Sequence, residues 1–290
     1  MSSRLPLPGG SVRPAPLPAD LPAPLSVSVV IPVKDDAVLL DRALSFLARQ
    51  DVLALEIVVV DNGSRDNSAE VARRHGARVV VEPRPGIAAA ASTGYDAALG
   101  AIILRCDADT LAPPDWLGRV RAQFAADDDL DALTGGGTFY DVATWRAAVV
   151  GRLYLRSYYV AAHAALAHPT LWGSNMAIRA TSWHGVSDTV HRGDAHLHDD
   201  FDLAFTLGPT SRIRYDPTLT VEVSGRSLQG GPAGRVRWAR AFHTLAVNWA
   251  VMSPSRRWAT RLALTRPPAA ADGRRPRRRI AARERELQAR

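Results

Sequence analysis

Two carboxylates with one residue between them, Asp107 and Asp109, follow the apolar run Ala101-Ile-Ile-Leu-Arg105. Side by side they repel each other unless a cation or hydrogen-bond donors hold them. The candidate cation is a hard divalent ion, Mg2+ or Mn2+, which takes oxygen ligands and bridges to phosphates. A D-x-D also occurs in ordinary surface turns, so the remaining acids have to decide. They recur at Asp35-Asp36, at Asp61 and at Asp199-Asp200-x-Asp202. His196 and His198 stand two apart near the last group, but no second ligand pair has zinc spacing, and a zinc site is set aside. Cys106, between the acids and the apolar run, reads as a small buried filler.

These acids need elements to position them. Ser26-Val-Ser-Val-Val-Ile-Pro32 is a strand that stops at proline. Residues 38–49 carry apolar positions at helical spacing, and 55–60 is a second, almost wholly apolar strand. Asp61-Asn-Gly-Ser64 is a turn. A helix follows over 66–75, with Asp66 as its N-cap. Residues 78–81 form a third strand, 87–99 an Ala-rich helix, and the apolar run before Asp107 a fourth strand. Alternation of strand and helix predicts a parallel sheet covered on both faces. Asp35/Asp36, Asp61 and Asp107/Asp109 then open on one sheet edge, the edge at which open α/β sheets bind ligands.

The second half is less regular. It predicts a helix opening at Pro113-Pro114 with proline in its first turn, then a strand over 131–139 through Gly135-Gly-Gly137. A long helix over 142–167 leads to a loop and strand at 171–178. A helix begins at His198, and short strands follow at 213–215 and 219–223. A last helix over 234–252 carries Trp238, Phe242, Leu245 and Trp249 on one side.

At 290 residues with one cysteine, the chain has no disulfide framework and suits a reducing, cytoplasmic compartment. Of the net charge of +7, residues 263–290 hold nearly all, nine arginines against three acids. The nearly neutral body excludes a basic nucleic-acid-binding domain. The tail reads as disordered and solvated, or as a contact with an anionic membrane at its inner face. Residues 1–25, with seven prolines, read as a disordered leader. No transmembrane segment or signal peptide is expected. A Rossmann oxidoreductase is rejected because strand one is followed by Pro-Val-Lys-Asp-Asp, not G-x-G-x-x-G.

Six pieces in order resemble the large inverting glycosyltransferase family 2. They are Val29-Val-Ile-Pro-Val33 with Asp35-Asp36, and Val59-Val-Asp61-Asn-Gly-Ser-x-Asp66. Arg84-Pro-Gly86 follows with Ala88-Ala-Ala-Ala-Ser-x-Gly94, then Asp107-Ala-Asp109. Gly173-Ser-Asn-Met-Ala-Ile-Arg179 and Asp199-Asp200-Phe-Asp202-Leu203 complete the set. The resemblance covers about residues 26–250. It implies the GT-A fold, a Rossmann-like, mostly parallel α/β sheet with helices on both faces and a smaller, mixed acceptor-side half. The division is a nucleotide-binding half over 26–110 and an acceptor-binding half over 111–262.

The resemblance implies an inverting, metal-dependent transfer of a single sugar from a UDP- or GDP-linked donor to a hydroxyl acceptor. Asp109 would be the direct metal ligand, and Asp107 would reach the metal or the ribose. Asp61 could accept a hydrogen bond from the base, or only shape its turn. Pro32 and Asp36 would wall the same pocket. Arg84 lies before a helix N-terminus, where anions are favoured. Arg226 is the one arginine left where many relatives carry a pair for the diphosphate. Trp172, Gly173, Ser174 and Asn175 would line the acceptor side, although a tryptophan there also suits a core. Asp200 is the candidate base for the acceptor hydroxyl, with Asp199 the neighbouring alternative. Asp36 stands where Glu is usual, Ala91-Ser92 replaces an Arg-Asn pair, and Gln229 with Arg237-Trp238 only faintly matches processive relatives. The alternative is a sugar-nucleotide-binding module without catalysis.

Overall fold

A computed structural model of the chain describes residues 25–142, 145–228 and 231–265. Its frame is a seven-stranded sheet in the order β3-β2-β1-β4-β6-β5-β7. The first half alternates as expected: β1 Val27–Val33, α1 Ala37–Leu47, β2 Glu56–Asp61, α2 Ser68–Arg74, β3 Arg78–Val81, α3 Ile87–Ala97 and β4 Ile102–Arg105. β1 pairs in parallel with both β2 and β4, and β2 with β3.

The strands read as nearly unbroken apolar runs because each face is covered. Val29, Ile31, Val59, Ile102 and Leu104 point to one side, where they meet Leu40 and Leu44 of α1. Val30, Val58, Val60 and Ile103 point to the other, against Ala90, Ala91 and Tyr95 of α3. The period-2 alternation of side chains thus builds two cores from single strands. Cys106 is fully buried beneath the first of them.

The second half runs α4 Trp116–Ala125, β5 Ala132–Phe139, α5 Trp145–Leu166, β6 Met176–Arg179, α6 Ala180–His184, α7 Asp199–Leu207, β7 Ile213–Val223, a 3-10 turn Gly225–Leu228, α8 Gly231–Val251 and α9 Pro254–Thr265. β6 is antiparallel to both β4 and β5, whereas β7 is parallel to β5. The residues before β6 therefore emerge on the same sheet edge as the loops after β1, β2, β4 and β7.

Several local expectations are corrected. α2 begins at Ser68, because Asp66 turns back to accept from the Ser68 N–H at 3.0 Å and from Ala37 N–H, at the head of α1, at 2.9 Å. α4 begins at Trp116, with both prolines ahead of it. The two short strands at 213–223 are one, with a register shift opposite Gly135/Gly136. On α8, Leu245 and Trp249 pack inward, but Trp238 and Phe242 stack on each other in solvent, 66% and 63% exposed. α9 lies beyond the last helix expected from the sequence. Among the described residues, no helix is long and apolar enough to cross a membrane. The leader and nearly all of the basic tail lie outside the described residues.

His168, in the loop from α5 to β6, is fully buried with Nδ1 2.8 Å from the Pro169 carbonyl. Burial pushes its pKa from 6.5 down to about 4. The unfolded chain binds this proton more readily, so its contribution is complete above about pH 6.5 and is lost as pH falls toward 4. The loss is roughly 3 kcal/mol. Urea unfolding at pH 7.5 and 4.5 should show that drop, and His168→Gln should flatten it. An equal drop in the variant would remove His168 as its source.

Candidate active site

The edge where these loops converge holds a cleft of about 610 Å3. Asp107, Asp109, Arg105 and Arg226 line one part of it, and Trp172, Gly173, Ser174, His198, Asp199 and Asp200 another.

The D-x-D loop is fastened at both ends. The Thr110 N–H donates to the Asp107 carbonyl at 3.0 Å, and Leu111 exchanges two backbone hydrogen bonds with Glu222 near the end of β7. That bridge brings the turn after β7 over the acids. Arg226, in this turn, donates from Nε to Asp109 at 3.0 Å and from Nη2 to Asp36 at 2.6 Å. Burial pushes the Asp109 carboxyl up to about 6, the charge of Asp107 adds to this, and Arg226 opposes it. A desolvated carboxylate beside a second one calls for positive charge, and here a guanidinium supplies it.

Arg105 joins the two sides. It is the one charged residue in an apolar strand, and it is 3% exposed. A buried charge needs partners. Arg105 donates to Asp199 at the start of α7 and to Asp107 at 3.2 Å. Burial pushes the Asp199 carboxyl up, against the pull of Arg105. A Cβ added at Gly173 would lie 2.6 Å from the Arg105 Cζ, so only glycine lets the guanidinium through. Similarly, a Cβ at Gly137 would lie 2.4 Å from the Trp172 ring, so this glycine in β5 makes room for the indole.

Asp199 and Asp200 are adjacent, yet they have different partners. Asp199 is tied to Arg105. Asp200 accepts from the Gly173 N–H and the Phe201 N–H, each at 2.8 Å. Two backbone bonds leave lone pairs of a carboxylate free for a substrate hydroxyl. Ser174 donates to Asp107 at 2.5 Å, so the loop before β6 touches both acid groups.

Not every expected residue reaches this cleft. Asn175 is fully buried, donating to the Gly136 and Leu219 carbonyls and accepting from the Trp116 indole at 2.9 Å. It therefore holds β5, β6 and β7 together and is not in a position to meet an acceptor. Pro32, Asp36, Asp61 and Arg84 are also absent from the lining. Asp36 is linked to it through Arg226, and Pro32 is buried in the sheet opposite Val60. Asp61 accepts from the Ser64 N–H at 2.9 Å, the turn-forming role. Arg84 is held by Glu82, with Nε and Nη2 each 2.9 Å from its carboxylate. Arg84 in turn holds the Glu82 carboxyl down at about 2. Sequence reasoning missed Arg105, Arg237 and Arg240 as lining residues. A charge inside the apolar β4 was a signal for the first, while the other two depend on how α8 packs.

The sequence profile of "Glycosyl transferase family 2" matches residues 28–182, from β1 into α6 and over half of the chain. The chain belongs to glycosyltransferase family 2. An uncharacterised glycosyltransferase of Mycobacterium tuberculosis is 37% identical over 110 residues, 38% of this chain. That match spans 48% of the relative's own length. An undecaprenyl-phosphate 4-deoxy-4-formamido-L-arabinose transferase of Pectobacterium carotovorum is 34% identical over 112 residues, 35% of this chain and 34% of that one. Among solved structures, a mannosyltransferase of Pyrobaculum calidifontis in complex with GDP-Man and Mn2+ superposes with a TM-score of 0.53 at 22% identity. It covers 91% of this chain and 81% of that one. Glucosyl-3-phosphoglycerate synthase of M. tuberculosis, in complex with Mn2+, UDP and phosphoglyceric acid, gives 0.55 at 18% identity, over 77% and 78%. At these identities the structures establish the shared fold of this family 2 chain.

Proposed function

We propose that this family 2 chain transfers one sugar, with inversion, from a UDP- or GDP-linked donor to an acceptor hydroxyl. One observation carries the reading: Asp107 and Asp109 from the first half of the chain and Asp199 and Asp200 from the second line one cleft, joined through Arg105.

The residues present fit a divalent ion. Among the described residues no cluster of three His, Cys, Asp or Glu side chains could bind a metal by itself. Two carboxylates, one of them desolvated, suit Mn2+ or Mg2+ that takes its other ligands from a diphosphate and water. Such an ion, held by Asp107 and Asp109, would neutralise charge growing on the departing nucleoside diphosphate. Arg226 adds positive charge on the same side. Pro32, Asp36 and Asp61 sit at the neighbouring strand ends, where base and ribose would lie, and Arg84 flanks them.

On the other side, Asp200 takes the proton of the acceptor hydroxyl as its oxygen attacks the anomeric carbon. The Gly173 and Phe201 N–H groups fix the orientation of that carboxylate. Asp199, neutralised by Arg105, is a positioning residue. Trp172, Gly173 and Ser174 form the acceptor wall. Residues 26–110 thus serve the donor and 111–262 the acceptor, with Arg226 crossing from the second half to the donor side. The single buried thiol supports a cytoplasmic compartment.

The test is a donor screen reading nucleoside diphosphate release with Mn2+, with Mg2+ and with chelator. Release with at least one UDP- or GDP-sugar, lost on chelation and restored by metal, is expected. No binding of UDP or GDP in the presence of either metal would sink the reading. Nucleotide binding without turnover on any acceptor extract would favour the non-catalytic module.

A further inference from the structure

Two arginines in the cleft have no counter-ion among the described residues. Arg237 and Arg240 line it, yet among the described residues neither guanidinium makes an ion pair or hydrogen bond. The Nε of Arg240 is shielded from solvent and has no partner. Burying such a donor unpaired is costly, and a ligand acceptor would remove that cost. The other cleft cations are already engaged, Arg105 by Asp199 and Asp107, Arg226 by Asp109 and Asp36.

Their position follows from the packing of α8 on α7. Residues three and four apart share a helix face. Asn248 donates to Asp202 at 2.8 Å, and the hydroxyl of Thr244, one turn earlier, accepts from the His198 N–H at 3.0 Å. Arg240 and Arg237 continue this stripe past the first residue of α7. The His198 ring, 3.0 Å from the Arg237 carbonyl, marks the start of α7, at the border of the cleft. The two arginines therefore share the cleft with Asp199 and Asp200, on the stretch of α8 that adjoins the start of α7.

Resting on the transfer reading above, we infer that the hydroxyl acceptor also carries a phosphomonoester, bound by Arg237 and Arg240 while its hydroxyl faces Asp200. Two guanidinium forks one turn apart match the oxygens of a phosphate. They also offset the repulsion that a dianion would meet from Asp199 and Asp200. A soluble phosphate and a lipid phosphate share this chemistry.

Calorimetry on the full chain, saturated with nucleoside diphosphate and Mn2+, tests it with 3-phosphoglycerate, a lysophosphatidic acid in detergent, and the dephosphorylated partners glycerate and monoacylglycerol. Binding of at least one phosphate, at least tenfold tighter than its partner, is expected, and the probe that binds tells a soluble from a lipid source. In Arg237→Gln/Arg240→Gln that affinity should fall about 10–100-fold, with partial recovery in Arg237→Lys/Arg240→Lys, which restores the charge without the fork, and unchanged nucleotide affinity. Equal binding with and without phosphate, no binding of either phosphate, or an equal loss of nucleotide affinity in the Gln variant would overturn the inference. The wild-type comparison holds whether or not the variants fold. Failure of the wild-type chain to bind nucleotide would instead count against glycosyl transfer itself.

Discussion

Asp200→Asn is expected to slow sugar transfer by about 10²–10⁴-fold, the range for loss of a positioned general base. The substitution is close to isosteric. Its side-chain oxygen can still accept from the Gly173 N–H, which the native carboxylate receives at 2.8 Å, and only the bond from the adjacent Phe201 N–H is lost to the amide NH2, at a cost of about 1 kcal/mol. Fold and nucleotide affinity should therefore remain, and kcat should carry the loss. Single-turnover transfer and nucleotide titration, run on the same preparation, separate the two effects. Transfer within threefold of wild type would remove Asp200 from the role of base. A parallel loss of nucleotide affinity would make it a structural residue of the donor side.

Asp199→Ala is expected to act differently, through stability. It leaves the guanidinium of Arg105, 3% exposed, with Asp107 at 3.2 Å as its remaining carboxylate partner. Breaking a buried ion pair from one side costs about 3–5 kcal/mol. The surviving contact with Asp107 places the effect at about 3 kcal/mol, roughly 6–12 °C in Tm for a domain of this size. Because the penalty comes from the stranded charge, Arg105→Met combined with Asp199→Leu should recover much of it, and a double-mutant cycle measures the recovery. A Tm within 2 °C of wild type in Asp199→Ala would show that Arg105 does not depend on this partner.

The contrast between these neighbours shows where sequence reading stops. The parallel half was legible because each strand is apolar on both faces and each helix repeats at its own period. The convergence of Asp36, Asp61 and Asp107/Asp109 on one edge followed from that alone. The split between Asp199 and Asp200 did not, because it depends on Arg105, 94 residues away from Asp199. The same holds for Arg226, which reaches Asp36 across 190 residues. Asn175 illustrates the converse: its place inside a matching motif points to a ligand, while the close approach of β5 to β7 needs its amide. Trp238 and Phe242 have helical spacing, but spacing cannot say which stripe of α8 meets α7.

Cys106 has a consequence of its own. It is the one thiol in the chain, and it sits in the backbone between the end of β4 and the D-x-D acids. Its sulfur is closed to reagents while the sheet is intact, and burial raises its pKa, which further suppresses the reactive thiolate. Alkylation of the native chain therefore proceeds through opening of that strand, and its rate clocks the opening. Any molecule that settles on the neighbouring acids slows the clock in proportion to its occupancy. The protein thus carries a built-in probe of ligand binding at the D-x-D, one that needs no label, no turnover and no knowledge of the acceptor.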